Sequence, residues 1–134
     1  MTALSTYAER KLLDHVFKNT SFTSPQAYIG LFTSDPTDSA SGTEVSGNGY
    51  ARIRIDNKMS SATANSDNSQ ITNSSIITFA AADGGAFGTI THIGIFDALS
   101  SGNLLAHGAL AASKVISDGD TFQINASGLV ITID

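Results

Sequence analysis

The chain has no cysteine and no tryptophan, only two prolines and few charges, with 14% of its 134 residues being Asp, Glu, Lys or Arg. Without cysteine there is no disulfide framework, no zinc–thiolate site and no thiol nucleophile. Without tryptophan the chain lacks the commonest sugar-stacking residue. The net charge of −5 disfavours a nucleic-acid backbone as partner, because that contact needs clustered Lys and Arg. It equally disfavours anionic membrane surfaces. No apolar run approaches the roughly 20 residues of a membrane span. No basic segment followed by an apolar run marks a signal peptide, so the chain reads as made and folded in a cytoplasm.

Ser, Thr, Asn and Gly stand where charge is missing, giving a surface solvated by hydroxyls and amides. The length fits a single domain, 1–134, able to bury roughly two-thirds of the surface its unfolded chain exposes. Residues 5–18 read as a helix. Ser5 or Thr6 can cap it, and Thr6-Tyr7-Ala8-Glu9 fits a capping box with Glu9 reaching back. Ala8, Leu12, Leu13, Val16 and Phe17 form an apolar stripe, and Asn19 supplies a stop. At about four turns such a helix must pack on its own sheet or on a neighbouring subunit.

From residue 27 to residue 134 the pattern is that of a β domain. Ala27 to Thr33 reads as a strand, and Ser34-Asp35-Pro36-Thr37 as a turn. Tyr50 to Asp56 alternates, with Ala51, Ile53 and Ile55 on one face and Arg52, Arg54 and Asp56 on the other. Met59 to Gln70 reads as a long polar loop and Ile71 to Phe79 as a strand. Gly88 to Phe96 and Asn103 to Leu110 read as strands joined by a turn at Asp97 to Gly102. Thr121 to Asn125 and Leu129 to Ile133 read as a last hairpin. The fold class expected is mainly β: an N-terminal helix, then an antiparallel sandwich or jelly-roll-like barrel.

Candidate chemistry is sparse. His92 and His107 approach each other if their strands pair, but a structural zinc site wants about four ligands and no others are evident. Asp118-Gly119-Asp120 and Asp35 with Asp38 lack the ligand spacing of a calcium loop and read as turns. Tyr28, Phe32, Tyr50 and Phe96 read as core rather than as a sugar-binding face. No Gly-x-Ser-x-Gly elbow occurs, and no carboxylate pair is singled out. The expectation is therefore no catalytic residue, no cofactor and no metal. Arg52 and Arg54 are open to two readings, a solvated face or pairing with acids of another subunit.

Four segments carry a resemblance in order along nearly the whole chain. They are Ser5-Thr6-Tyr7-Ala8-Glu9 through Leu12-Leu13-Asp14-His15; Ala27-Tyr28-Ile29-Gly30-Leu31-Phe32-Thr33-Ser34-Asp35-Pro36; Gly42 to Arg52, ending Gly49-Tyr50-Ala51-Arg52; and Gly88-Thr89-Ile90-Thr91-His92-Ile93-Gly94-Ile95-Phe96-Asp97. Gly102-Asn103-Leu104-Leu105 and Gly108-Ala109-Leu110 continue the match. Together they resemble a family of small tailed-bacteriophage virion proteins, commonly labelled phage tail fibre protein. The resemblance implies a non-enzymatic structural role in the virion. A fibre needs length from repeats or a heptad shaft, and this chain has neither. That favours a capsid cement (decoration) protein on the outer surface of the major capsid protein shell, trimeric by analogy with other cement proteins. The alternative is a short tail-fibre or tail-tip protein involved in host attachment. Expected partners are the major capsid protein or tail proteins of the same virion and further copies of the chain, with no nucleic acid and no membrane. The candidate interaction residues are Leu12, Leu13, Val16, Phe17, Tyr50, Arg52 and Arg54, with the loops at 34–48 and 57–70 as further contact elements.

Overall fold

A computed structural model describes residues 2–133; Met1 and Asp134, the ends of the expected domain, lie outside the described residues. Helix α1 (Thr6–Phe17) stands where the stripe places it. Ser5 is its cap: the hydroxyl accepts the Ala8 amide at 3.2 Å and donates to the Leu104 carbonyl, tying the helix start to the sheet. The expected box does not form around Thr6 and Glu9. The cap lies one residue earlier, so Ala8 occupies the third helical position and offers no side chain to reach back. The helix stops at Lys18, and Asn19 follows in the left-handed region at φ 54°.

The largest sheet has five strands in the order β1 (Ala3–Leu4), β8 (Leu104–Ile116), β7 (Gly88–Phe96), β2 (Tyr28–Phe32) and β3 (Ile53–Arg54). A three-stranded sheet runs β10 (Val130–Ile133), β5 (Asn68–Thr72), β4 (Thr63–Asn65), and β6 (Ile77–Thr78) pairs with β9 (Gln123–Ile124). The pairings between named strands are antiparallel, and the sheets do not close into a barrel. The expected mainly β fold with one N-terminal helix is thus present, without the barrel alternative.

Alternation explains the core. Ile29 and Leu31 of β2, Ile93 and Ile95 of β7 and Ala106 of β8 face inward and pack with Ile77, Phe79, Phe122 and Leu129. Fully burying each large aliphatic or aromatic side chain contributes about 1.5–3 kcal/mol. Phe32, Phe96 and Leu104 point to the opposite face and form a second, smaller cluster. The N-terminal residues seam the two larger sheets. Ala3 and Leu4 pair with His107 and Ala106, while the Thr2 amide donates to the Val130 carbonyl at 3.1 Å and the Thr132 amide to the Thr2 carbonyl at 3.2 Å.

Several expectations are corrected. Met59 to Gln70 is not a loop. It contains a hairpin, with Thr63 opposite Gln70, Ala64 opposite Ser69 and Asn65 opposite Asn68. Residues 61–67 are all exposed, so the strand carries no apolar alternation for periodicity to detect. The strand expected from Ile71 to Phe79 is broken at Asn73, whose buried side chain binds three segments. Its amide group donates to the Ser75 and Asn125 carbonyls at 2.9 Å each, and its oxygen accepts the Leu129 amide at 2.9 Å. Those bonds also undo the expected last hairpin: β9 pairs with β6 and β10 with β5. Finally, β8 runs on to Ile116, and the register with β7 shifts between His92 opposite Ala109 and Ile90 opposite Lys114. Leu110 to Ser113 thus bulge out of the ladder.

Candidate functional site

Helix α1 buries little. Ala8 is its one buried residue and Leu12 is half-buried, while Leu13, Val16 and Phe17 are 57%, 64% and 81% exposed. The reason is angular. At about 100° per residue, Leu13, Val16 and Phe17 lie to one side of the Ala8–Leu12 line that faces the sheet. Leu12 and Leu13 form one wall of an open groove of about 430 Å³, with Ala3, Leu4, Thr132 and Ile133 across from them. An exposed apolar face of this kind marks a contact surface more often than a solvated one. Glu9 lines the same groove and Arg10 borders the face, whereas Lys11 and Lys18 stand on the opposite flank of the helix, with Lys11 Nζ 5.7 Å from the Tyr7 ring centroid.

The other expected contact residues turn inward or pair locally. Arg52 is only 8% exposed. Its Nε and Nη2 donate to the two Glu44 oxygens at 2.8 and 2.7 Å, and Nη1 donates to the Ala98 and Ser101 carbonyls at 2.8 Å each. The alternation expected from Tyr50 to Asp56 holds from Ile53 to Asp56 and reverses at Ala51 and Arg52, because only Ile53 and Arg54 are strand. The Tyr50 hydroxyl donates to Glu44 Oε1 at 2.7 Å and accepts the Leu31 amide at 2.9 Å. Burial, reinforced by the bond to Glu44, pushes this hydroxyl far above its ordinary value. Arg54 is exposed and pairs with Asp56, Nη2 to Oδ2 at 2.9 Å, which holds the Asp56 carboxyl below its usual range. Both guanidiniums therefore have carboxylate partners within the chain.

Strands β7 and β8 pair as expected and bring the two histidines to neighbouring positions, His92 opposite Ala109 and His107 opposite Gly94, but they bind different partners. His92 Nδ1 lies 2.8 Å from Thr91 Oγ1, whereas His107 sits with Nε2 2.8 Å from Asp38 and Nδ1 3.8 Å from Asp35. Among the described residues no group of three or more His, Cys, Asp or Glu is placed to hold a metal ion. Asp118 and Asp120 do hold turns: Asp118 Oδ1 accepts the Gly84 amide at 3.1 Å, and Asp120 Oδ2 the Ser117 amide at 2.9 Å. Phe32 stacks on Phe96 and Tyr50 on Phe79, so these rings belong to the interior. Sequence reasoning missed two polar residues: Glu44, which lies in the Gly42–Arg52 segment but with nothing to mark it as the partner of Arg52, and Asn73, whose polar neighbours give no pattern. No helix among the described residues is long and apolar enough to cross a membrane.

Residues 3–132 match the protein family described as podophage GP4 fiber I protein gp80. The chain belongs to this family. The ordered motifs of helix, β2, the Gly49–Arg52 segment and β7 thus do mark a tailed-phage virion protein, of fibre-like kind. The matched span takes in α1, all three sheets and the Arg52–Glu44 pair. No curated protein matches the chain.

Proposed function

We propose that the protein is a non-enzymatic component of a podophage tail fibre, attached to other virion proteins through the apolar face of α1. The observation that carries this reading is the family match over residues 3–132, whose description names a fiber protein. The exposed Leu13, Val16 and Phe17 support the choice of contact element, since the first turns of the helix already anchor it through Ser5 and Ala8. The capsid cement reading rests on the absence of a shaft in the sequence, and the family description favours the fibre instead. Host attachment fits a fibre component, and the low-charge hairpin at β4 and β5 is the element best exposed for it.

The test is the number and place of copies in the particle. Quantitative mass spectrometry against the major capsid protein, with gold-labelled antibody on intact virions, should give a small copy number and label at the tail. Hundreds of copies in fixed ratio to the capsid protein, with label over the shell, would replace this reading with the cement one.

A further inference from the structure

Residues 2–12 are held in a slot between two sheets, while the segment that tethers them to the body is not held. In the slot, Ala3 and Leu4 pair with His107 and Ala106 of β8. On its other wall the Thr2 amide donates to the Val130 carbonyl, and the Thr132 amide to the Thr2 carbonyl. The Ser5 amide donates to the Leu105 carbonyl at 2.9 Å and its hydroxyl to the Leu104 carbonyl. Thr2 and Ser5 are accordingly buried, as is Ala8 in the helix, and α1 packs chiefly on β1 and β8.

The tether is built differently. Residues 18–27 join α1 to β2 in neither strand nor helix, and they are exposed except for the half-buried Phe22, Pro25 and Ala27. Among the described residues every hydrogen bond of residues 18–26 is local. The Lys18 and Thr20 amides donate to the Asp14 carbonyl, the His15 ring meets the Thr20 carbonyl, and the Tyr28 hydroxyl donates to Gln26. Phe22 belongs to neither hydrophobic cluster. Fully extended, residues 18–27 reach roughly 33 Å, whereas a domain of this length has a radius of gyration of about 14 Å. The tether is thus long enough to carry residues 2–12 onto an adjacent copy.

We infer that residues 2–12 are an exchangeable arm: the slot between β8 and β10 of one copy accepts β1 and the first turns of α1 from a second copy. The occupant is a second copy because the fit of this slot to this segment is displayed within one chain, and the same bonds form whichever copy supplies the arm. No hydrogen bond along the tether fixes which copy that is. Reciprocal exchange leaves no slot empty, so the two arrangements differ only in the path of residues 18–27. Within one chain a short tether presents the arm at an effective concentration on the order of 1 mM. Pairing within the chain therefore prevails in dilute solution, and exchange competes where copies stand side by side. The inference concerns contacts between copies and does not depend on the fibre reading.

The test uses the full chain, which has no cysteine of its own. Facing residues of an antiparallel pair stand about 4.5–5.5 Å apart between Cα atoms, within reach of a disulfide. One population carries Ala3→Cys, and a second, isotope-labelled, carries His107→Cys. The two are unfolded in urea, refolded together at about 1 mM and oxidised, with circular dichroism confirming the fold. Covalent dimers of one labelled and one unlabelled chain should outnumber the two like-chain dimers together several-fold. They should fall about tenfold or more when refolding is carried out at about 10 µM. Thr2→Cys with Ile131→Cys, residues joined by a bridge on the other wall of the slot, repeats the test should the first pair fail to fold. Mixed dimers merely equal to the like-chain dimers together, which is the random proportion, or folded protein with no covalent dimer, would overturn the exchange. Labelling of virions reads the tail location independently, so failure of the exchange and failure of the fibre reading are distinguishable.

Discussion

The Arg52 guanidinium lies 3.7 Å from the centroid of the Phe96 ring, stacked against the last residue of β7. From that position it ties two further segments: the Glu44 carboxylate through two N–H donors, and the turn after β7 through the Ala98 and Ser101 carbonyls. Phe96 in turn packs on Phe32 and Leu104, so one charged side chain closes the smaller of the two hydrophobic clusters.

Replacing Arg52 by Lys keeps the charge and removes the fork that meets both Glu44 oxygens. The variant should lose about 2–3 kcal/mol, because carbonyls and a carboxylate are left short of donors in a buried place. Urea denaturation measures this. The difference should persist in high salt, since a buried pair is weakly screened. A loss that vanishes with salt would make the pair a surface one.

Gly30 sits on β2 opposite Gly94, and a Cβ on it would stand 2.6 Å from Glu44 Oε1 and 2.9 Å from the Tyr50 hydroxyl oxygen. Gly30→Ala should therefore push Glu44 off Arg52 and cost about 1–3 kcal/mol, the usual range for overpacking. Its effect and that of Arg52→Lys should be less than additive, because both break the same pair. A double-variant cycle by urea melts checks the coupling.

Asn73 is fully buried and makes three side-chain bonds at 2.9 Å. Asn73→Leu fills a similar volume and leaves the Ser75 carbonyl and the Leu129 amide unsatisfied, while the Asn125 carbonyl keeps its bond from the Gly128 amide, an expected loss of about 2–4 kcal/mol. Hydrogen exchange locates the damage: the Leu129 amide should lose protection well before amides of β7.

Tyr50 sets a pH dependence. Its folded value is raised, so the stability it contributes is complete below the unfolded value of about 10 and is lost as pH rises from there toward the folded value. Native protein should lose stability above about pH 10 more steeply than Tyr50→Phe, by up to about 1.4 kcal/mol per pH unit. Equal slopes in the two proteins, followed by urea melts across that window, would show that the hydroxyl is not protected.

Legibility followed periodicity. Helix α1 and strand β7 were readable because each repeats its apolar residues at the period of its own structure, 3.6 or 2. The β4 hairpin was not, because Ser, Thr, Ala and Asn on both faces leave no pattern to count. Arg52 misled for the opposite reason: it alternates correctly with Ile53 and Ile55, yet the strand is only two residues long and the chain folds it inward onto a glutamate eight positions back. The exposed side of α1 was legible as an apolar stripe, but not how far that stripe turns away from the sheet. The turn at Asp118 was legible only as an isolated Asp-Gly pair, since the long β8 that leads to it was expected to stop near Leu110.

Thr2 completes the seam between the two larger sheets by bonding to Val130 and Thr132. On the ribosome these partners emerge at opposite ends of synthesis of the segment. The first strand must wait, unpaired, until β8 has been made, and the seam can close only after β10 has left the exit tunnel. Such long-range closure is slow and exposes open sheet edges to neighbouring nascent chains. Closure of the seam is thus a late step, and until it happens the edges of two sheets stand open together.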